Sequence, residues 1–166
     1  FEFEEVKKKR DSNISWIGDI WLKRLIEPYV KRANIKAGWN FDLVDSEYCQ
    51  FTIYNQGQYY GWHTDTDGNL YYGKGNDWNK LMRKLSDNNE WDNLMRKLSV
   101  TISLSDPEDY EGGVLEFDLR NTGQINTSEI IKCKEILPRG SIVVFPSYTW
   151  HRVSPVTKGT RLSLVQ

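Results

Sequence analysis

The sequence predicts a mainly β domain, a β-sandwich or jelly roll buttressed by helix. Three observations predict it. One helical pattern, Asp19 to Ala33, stands near the start. From Glu47 onward the chain reads as short strands with apolar and polar residues in alternation. Turns rich in Gly and Pro separate those strands.

Residues 1–13 are charged and unpatterned (Glu4, Glu5, Lys7, Lys8, Lys9, Arg10, Asp11) and read as a solvated start. From Asp19 to Ala33, the residues Leu22, Leu25, Ile26, Tyr29, Val30 and Ala33 recur at three- and four-residue steps, one face of an amphipathic helix. Asp19 is placed to cap it. Pro28 lies inside the pattern, where it is expected to kink or split the helix. Such a helix packs on a sheet. Glu47 to Tyr54 then reads as a strand, with Gln50, Thr52 and Tyr54 on one face and Phe51 and Ile53 on the other. Asn55-Gln56-Gly57 turns the chain. Leu98 to Asp106 alternates cleanly: Leu98, Val100, Ile102 and Leu104 form a core face, and Ser99, Thr101, Ser103 and Ser105 a polar one suited to the wall of a wet pocket. Val114 to Phe117, Ile130 to Leu137, Ser141 to Phe145 and Thr160 to Val165 complete the expected strands.

One feature is a local repeat. Asn76 to Ser86 recurs thirteen residues later as Asn89 to Ser99, with eight of eleven positions identical. Two copies are too few for a solenoid. The first is expected to form a short helix in a loop, and the second to feed the strand at Leu98.

With 166 residues the chain is predicted to be a single domain over 1–166 with a real core. Its 22 basic and 23 acidic residues give a net charge of −1, which leaves no basic field for nucleic acid or an anionic membrane. Seven Trp, nine Tyr and six Phe suffice for a core and for some lining of a cleft. Cys49 and Cys133 read as free thiols in a reducing, cytoplasmic setting rather than as a disulfide framework. No apolar run is long enough to span a membrane. The sequence begins at Phe1 rather than Met, so an upstream segment or a removed signal peptide is left open.

The chain holds two histidines. His63 opens His63-Thr64-Asp65, and on an extended segment residues two apart project to one side. His151 follows a distant hydrophobic run. Taken alone, a His-x-Asp pair is most often surface, and a histidine between Trp150 and Arg152 fits a satisfied core position. Together, two imidazoles and one carboxylate in this order match the facial triad that holds Fe(II) and leaves coordination positions open. A structural zinc site would want four protein ligands, often thiolates. Arg161 and Ser163 share one side of the last strand, where a guanidinium and a hydroxyl can hold a carboxylate. Tyr54, on the polar face of its strand, is a candidate for the same carboxylate. Thr101 and Ser103 are candidates for the pocket floor.

On these residues the chain resembles the iron(II)/2-oxoglutarate-dependent dioxygenases. Over roughly residues 10–165 it resembles their prolyl 4-hydroxylase-type branch. The segments that carry the likeness are Gln50 to Asp65, Arg96 to Phe117, and Pro138 through His151 to Arg161. The middle one is especially similar to bacterial prolyl/lysyl-hydroxylase-domain proteins. The resemblance implies a double-stranded β-helix with Fe(II), 2-oxoglutarate and dioxygen, and with ascorbate as reductant. It implies a metal site of His63, Asp65 and His151, with 2-oxoglutarate held by Arg161. It also implies substrate contacts at Tyr60, three residues before His63, and at Arg96, eight before Leu104; Trp62 is grouped with them. The chain departs from the family at Ser103, a position that is often tyrosine there, and a family tryptophan expected slightly beyond Arg161 would fall past Gln166, where the given sequence stops.

The expected activity is hydroxylation of an unactivated C–H bond, with a prolyl residue in a peptide as the leading substrate. A free amino acid or small metabolite is the alternative. From another class, the chain could be a metal-binding jelly-roll module without turnover, but such a module needs no dicarboxylate anchor. A nucleic-acid demethylase fits the charge balance poorly. The stretch 66–95, with Gly68, Gly73, Gly75 and the aromatics Tyr71, Tyr72, Trp78 and Trp91, is expected to act as a lid over substrate. The oligomeric state is open.

Overall fold

A computed structural model describes residues 9–66, 95–119 and 130–166. Among these residues the chain forms one helix and twelve strands. They are β1 (Arg10–Asp11), β2 (Asn13–Ile17), α1 (Ile20–Lys36), β3 (Cys49–Tyr54), β4 (Tyr59–His63), β5 (Leu98–Ser103), β6 (Tyr110–Gly112), β7 (Leu115–Asp118), β8 (Ile130–Lys132), β9 (Ile142–Pro146), β10 (Trp150–Val153), β11 (Val156–Gly159) and β12 (Arg161–Val165). Two five-stranded antiparallel sheets carry the architecture. One has the order β1-β4-β10-β7-β8, the other β2-β3-β12-β5-β9, and β11 and β6 form a separate pair. The fold is mainly β, of jelly-roll type, with a single helix as buttress.

The alternation in sequence explains the layering. On β3, β5 and β12 one set of side chains, Cys49, Val100 and Leu164, packs with Leu22 and Ile26 of α1. The opposite set faces the other sheet. There Tyr54 and Phe145 meet Leu115, Phe117 and Val153 in a second core. Register fixes which polar residues share that inner face: Arg161 lies opposite Tyr54, and Ser163 lies between Thr52 and Ser103.

Several expectations are corrected. Residues 10–17 are not a loose solvated start: β1 pairs with β4 and β2 with β3. Both are edge strands, so their pattern is weak. The helix is not split at Pro28 but runs through it to Lys36. Pro28 is exposed, so the carbonyl that lacks its N–H partner stays on the solvent side. Asp19 sits at the N-cap but makes no side-chain capping bond. Leu25 and Tyr29 are exposed, which narrows the buried stripe. The strand expected over Ile130–Leu137 stops at Lys132 and gives way to a single 3-10 turn, Lys134–Ile136. Cys133 and Ile136 both enter the core, and a spacing of three suits that turn. The lid expected over 66–95 and the first repeat copy lie outside the described residues, apart from Thr66 and Met95. The last two residues of the second copy, Leu98 and Ser99, open β5.

Among the described residues, no helix is long and apolar enough to cross a membrane.

Candidate metal centre

His63 ends β4 and His151 lies on β10, directly opposite it. Asp65 follows His63 after the strand has ended, and its backbone N–H donates to the Ser147 carbonyl at 2.9 Å. The two imidazoles and the carboxylate thus converge. Asp65 Oδ1 is 3.4 Å from His63 Nε2, and Oδ2 is 3.5 Å from His151 Nε2. One ligand atom from each residue lies within 4.8 Å of the others.

The second nitrogen of each ring is already committed. His63 Nδ1 is 2.8 Å from the Gly61 carbonyl and His151 Nδ1 is 2.9 Å from the Thr149 carbonyl. A carbonyl only accepts, so each Nδ1 carries the proton and each Nε2 presents a lone pair to the centre. Burial lowers the pKa of His151 to about 4, against the pull of Asp65, so the ring is neutral near pH 7. Burial also works to raise the Asp65 carboxyl, but its contact with His63, and the charge that His151 carries only at the low pH where the carboxyl titrates, outweigh it and hold it at about 2. Neutral nitrogens and an anionic oxygen are the donor set that a divalent cation of borderline hardness prefers, and the residues fit Fe(II).

A β-bulge shapes the site. His151 pairs with His63 and Val153 pairs with Tyr60, so three steps on β4 oppose two on β10. Strict alternation would send Tyr60 and His63 to opposite faces. The extra residue lets both face inward, where their rings stack at 3.6 Å. Trp62 is the direct neighbour of His63, and ordinary alternation points it to the other face. It does not line the cavity but lies beside Arg152, whose guanidinium carbon is 4.8 Å from its ring and whose Nε donates to Glu116.

A cavity of about 160 Å³ adjoins the triad. Arg161, Ser163, Tyr54 and Thr101 line it, as do Tyr60 and Arg96. Arg161 is 2% exposed and its Nη1 donates to Ser163 Oγ at 3.1 Å. Its guanidinium carbon is 5.5 Å from the Tyr54 ring. Among the described residues no carboxylate pairs with it. Gly113, at φ 56°, makes room for it: a Cβ there would stand 2.9 Å from Arg161 Cδ. Ser103 is buried but does not line the cavity; its hydroxyl is spent on the Ser105 carbonyl. Arg96 forms an ion pair with Glu47 through Nε and Nη2 and donates from Nη1 to the Asp65 carbonyl at 3.1 Å. It therefore braces the carboxylate ligand's backbone as well as lining the mouth. The sequence reading missed Arg10, Glu47, Gly113 and Ser147. None carries a motif, and each is placed by a partner distant in the chain.

The family model of the 2OG-Fe(II) oxygenase superfamily matches residues 49–166. The chain belongs to this superfamily. Two PKHD-type hydroxylases from Synechococcus sp., strains JA-2-3B'a(2-13) and JA-3-3Ab, are each 36% identical over 114 residues, 69% of this chain and 39% of the relative. A PKHD-type hydroxylase of Hyphomonas neptunium is 43% identical over 67 residues, 40% of this chain and 26% of the relative. The chain thus spans well under half the length of these relatives. The fold is shared with a Pseudomonas putida prolyl-4-hydroxylase, at TM-score 0.59 and 21% identity over 95% of this chain and 71% of that one. It is also shared with the viral collagen prolyl hydroxylase of Paramecium Bursaria Chlorella virus-1, at TM-score 0.63 and 20% identity over 97% of this chain and 82% of that one. Superfamily membership implies Fe(II), 2-oxoglutarate and dioxygen. The matched segment contains the triad, Arg161 and Ser163; β1, β2 and α1 precede it.

Proposed function

We infer that the chain is an Fe(II)- and 2-oxoglutarate-dependent hydroxylase of unactivated C–H bonds, with a prolyl residue in a peptide as its leading substrate. The observation that carries this reading is Arg161, a buried guanidinium with no acidic partner among the described residues, in the same cavity as the triad. An unpaired buried charge costs several kcal/mol. A dicarboxylate that reaches from the metal to Arg161 removes that cost, whereas a metal-binding module without turnover has no use for it.

His63, Asp65 and His151 would hold the iron. When bound, the iron supplies the activation of dioxygen and the oxidation of the C–H bond. The chain's own contribution is geometric. The Gly61 and Thr149 carbonyls fix the imidazole tautomers. Arg161 would receive the far carboxylate of 2-oxoglutarate, with the Ser163 and Tyr54 hydroxyls to assist and Thr101 lining the same cavity. Leu115 and Val153 supply apolar wall and limit water. Tyr60 and Arg96 stand where substrate enters. Ascorbate would serve as reductant. The buried free thiols Cys49 and Cys133 support a reducing, cytoplasmic setting.

The prolyl-hydroxylase names among the related proteins and structures support a peptide substrate. The test is to incubate the iron-loaded protein with 2-oxoglutarate and with panels of Pro-rich peptides and free amino acids. Succinate and a product heavier by one oxygen atom are expected with a peptide. Oxidation of free amino acids alone would move the assignment to a small-molecule hydroxylase. Absence of succinate with every panel, together with absence of 2-oxoglutarate binding, would return the chain to a metal-binding module.

A further inference from the structure

Arg10 precedes the segment matched to the superfamily, yet it lines the cavity. Pairing of β1 with β4 sets it opposite Tyr60, and its guanidinium carbon lies 4.6 Å from the centroid of the Tyr60 ring. Tyr60 in turn stacks on His63, with centroids 3.6 Å apart and planes 16° from parallel. A chain of contacts therefore runs from a cation, through an aromatic ring, to a ligand of the candidate metal centre.

The cation is held by neutral groups. Arg10 Nε donates to Ser12 Oγ at 2.7 Å and Nη2 donates to Gln50 Oε1 at 2.6 Å. Gln50 belongs to β3 of the other sheet, so Arg10 also ties the two sheets at this edge. Among the described residues no carboxylate neutralises Arg10, and its charge remains available to the face of Tyr60. The Nδ1 contact with the Gly61 carbonyl fixes the tautomer of His63, and the His151 ring packs near it at 53° with centroids 4.1 Å apart. The nearly parallel Tyr60 ring adds a flat contact that favours one plane of the imidazole, and a cation on Tyr60 holds that contact in place.

We propose that Arg10 is a positioning residue for the metal centre, acting through Tyr60 to hold the plane of the His63 imidazole. The proposal rests on the reading of His63 as a metal ligand. It concerns the geometry of the ligand set, and it can be read without turnover.

The probe is Co(II), whose visible absorption reports ligand geometry. Wild-type protein is expected to bind one equivalent; failure to bind would defeat the metal-site reading itself, and this proposal with it. Arg10→Met is expected to weaken Co(II) binding about tenfold, at the lower end of the ~10–100-fold cost of losing an outer-shell partner, and to shift the absorption bands. Arg10→Lys keeps a cation and Tyr60→Phe keeps the ring, so both are expected within about threefold of wild type. Tyr60→Leu should match Arg10→Met, and the double variant should be no worse than Tyr60→Leu alone, because both changes break one pathway. Asp11→Ala removes the bond from Gln58 that helps to hold the edge strand but leaves the Arg10 contacts and the stack, and is expected to bind like wild type. Should Arg10→Met not fold, Arg10→Gln, which keeps polar bonds without the charge, takes its place against Arg10→Lys. Wild-type affinity and spectrum in the uncharged variant overturn the proposal. So does an equal defect in Asp11→Ala, which would make Arg10 an anchor of β1 and nothing more.

Discussion

At the scale of single residues, the buried guanidinium of Arg161 makes the firmest demand on the ligand. Arg161→Ala is expected to raise the apparent KM for 2-oxoglutarate by two to three decades, since loss of one partner of a buried charge pair costs about 3–5 kcal/mol. Arg161→Lys should fall between, because an ammonium is a point charge and not a fork. Metal binding should survive both, since the triad is untouched. Unchanged 2-oxoglutarate affinity in Arg161→Ala would sink the anchor assignment. Gly113 tests the same group from the other side. Its φ is 56°, and an added Cβ would stand only 2.9 Å from Arg161 Cδ, so Gly113→Ala must displace the arginine side chain. We expect a rise of about tenfold in the KM for 2-oxoglutarate, ~1.4 kcal/mol, with Co(II) affinity retained. Isothermal titration with each ligand separates the two outcomes. The triad and Arg161 were legible in the sequence because each carries distinctive chemistry in a fixed order. Gly113 was not, since the crowding it relieves comes from a residue far along the chain.

At the scale of elements, scaffold and site should separate. Ile26 on α1 is almost fully buried against the sheet face that points away from the cavity. Ile26→Ala is expected to cost about 2–5 kcal/mol of stability, because it leaves a hole that the helix closes only in part. Co(II) affinity should stay within about threefold when measured well below the lowered melting temperature. Strand β4 supports a complementary prediction. Trp62 is turned away from the cavity onto Arg152, so Trp62→Ala should leave 2-oxoglutarate turnover within about threefold of wild type, under ~0.7 kcal/mol. A drop of tenfold or more in succinate release would show that its side chain reaches the reacting end after all. Strands β3, β5 and β12 were readable because one face packs on α1 and the other on a polar pocket, which imposes a period of two. The bulge was not, because it exists only in the register between β4 and β10. The edge strands β1 and β2 were missed for a related reason. A strand paired on one side, with few buried side chains, leaves little alternation in sequence.

At the scale of the whole molecule, the two sheets divide the work. The β1-β4-β10-β7-β8 sheet and the turn after β4 bring His63, Asp65 and His151, while β3, β5 and β12 of the other sheet bring Tyr54, Thr101, Arg161 and Ser163. On the proposed reading a metal engages the first set, and 2-oxoglutarate engages both that metal and the second set. Ligation should therefore couple the sheets. Any ligand that binds only the folded state stabilises it, by about 2.7 kcal/mol at one hundred times its Kd. Mn(II), added without dioxygen so that no turnover follows, should raise the melting temperature alone. 2-Oxoglutarate alone should raise it little, because half of its attachment is missing, and the pair should raise it by more than the sum. Asp65→Ala should remove the response to Mn(II) and the excess from the pair. Arg161→Ala should keep the Mn(II) response and lose only the part that depends on 2-oxoglutarate. Thermal unfolding of the three proteins under four ligand conditions measures every term. If 2-oxoglutarate stabilises Asp65→Ala as strongly as wild type, the co-substrate does not need the triad, and the two sheets hold separate sites rather than one.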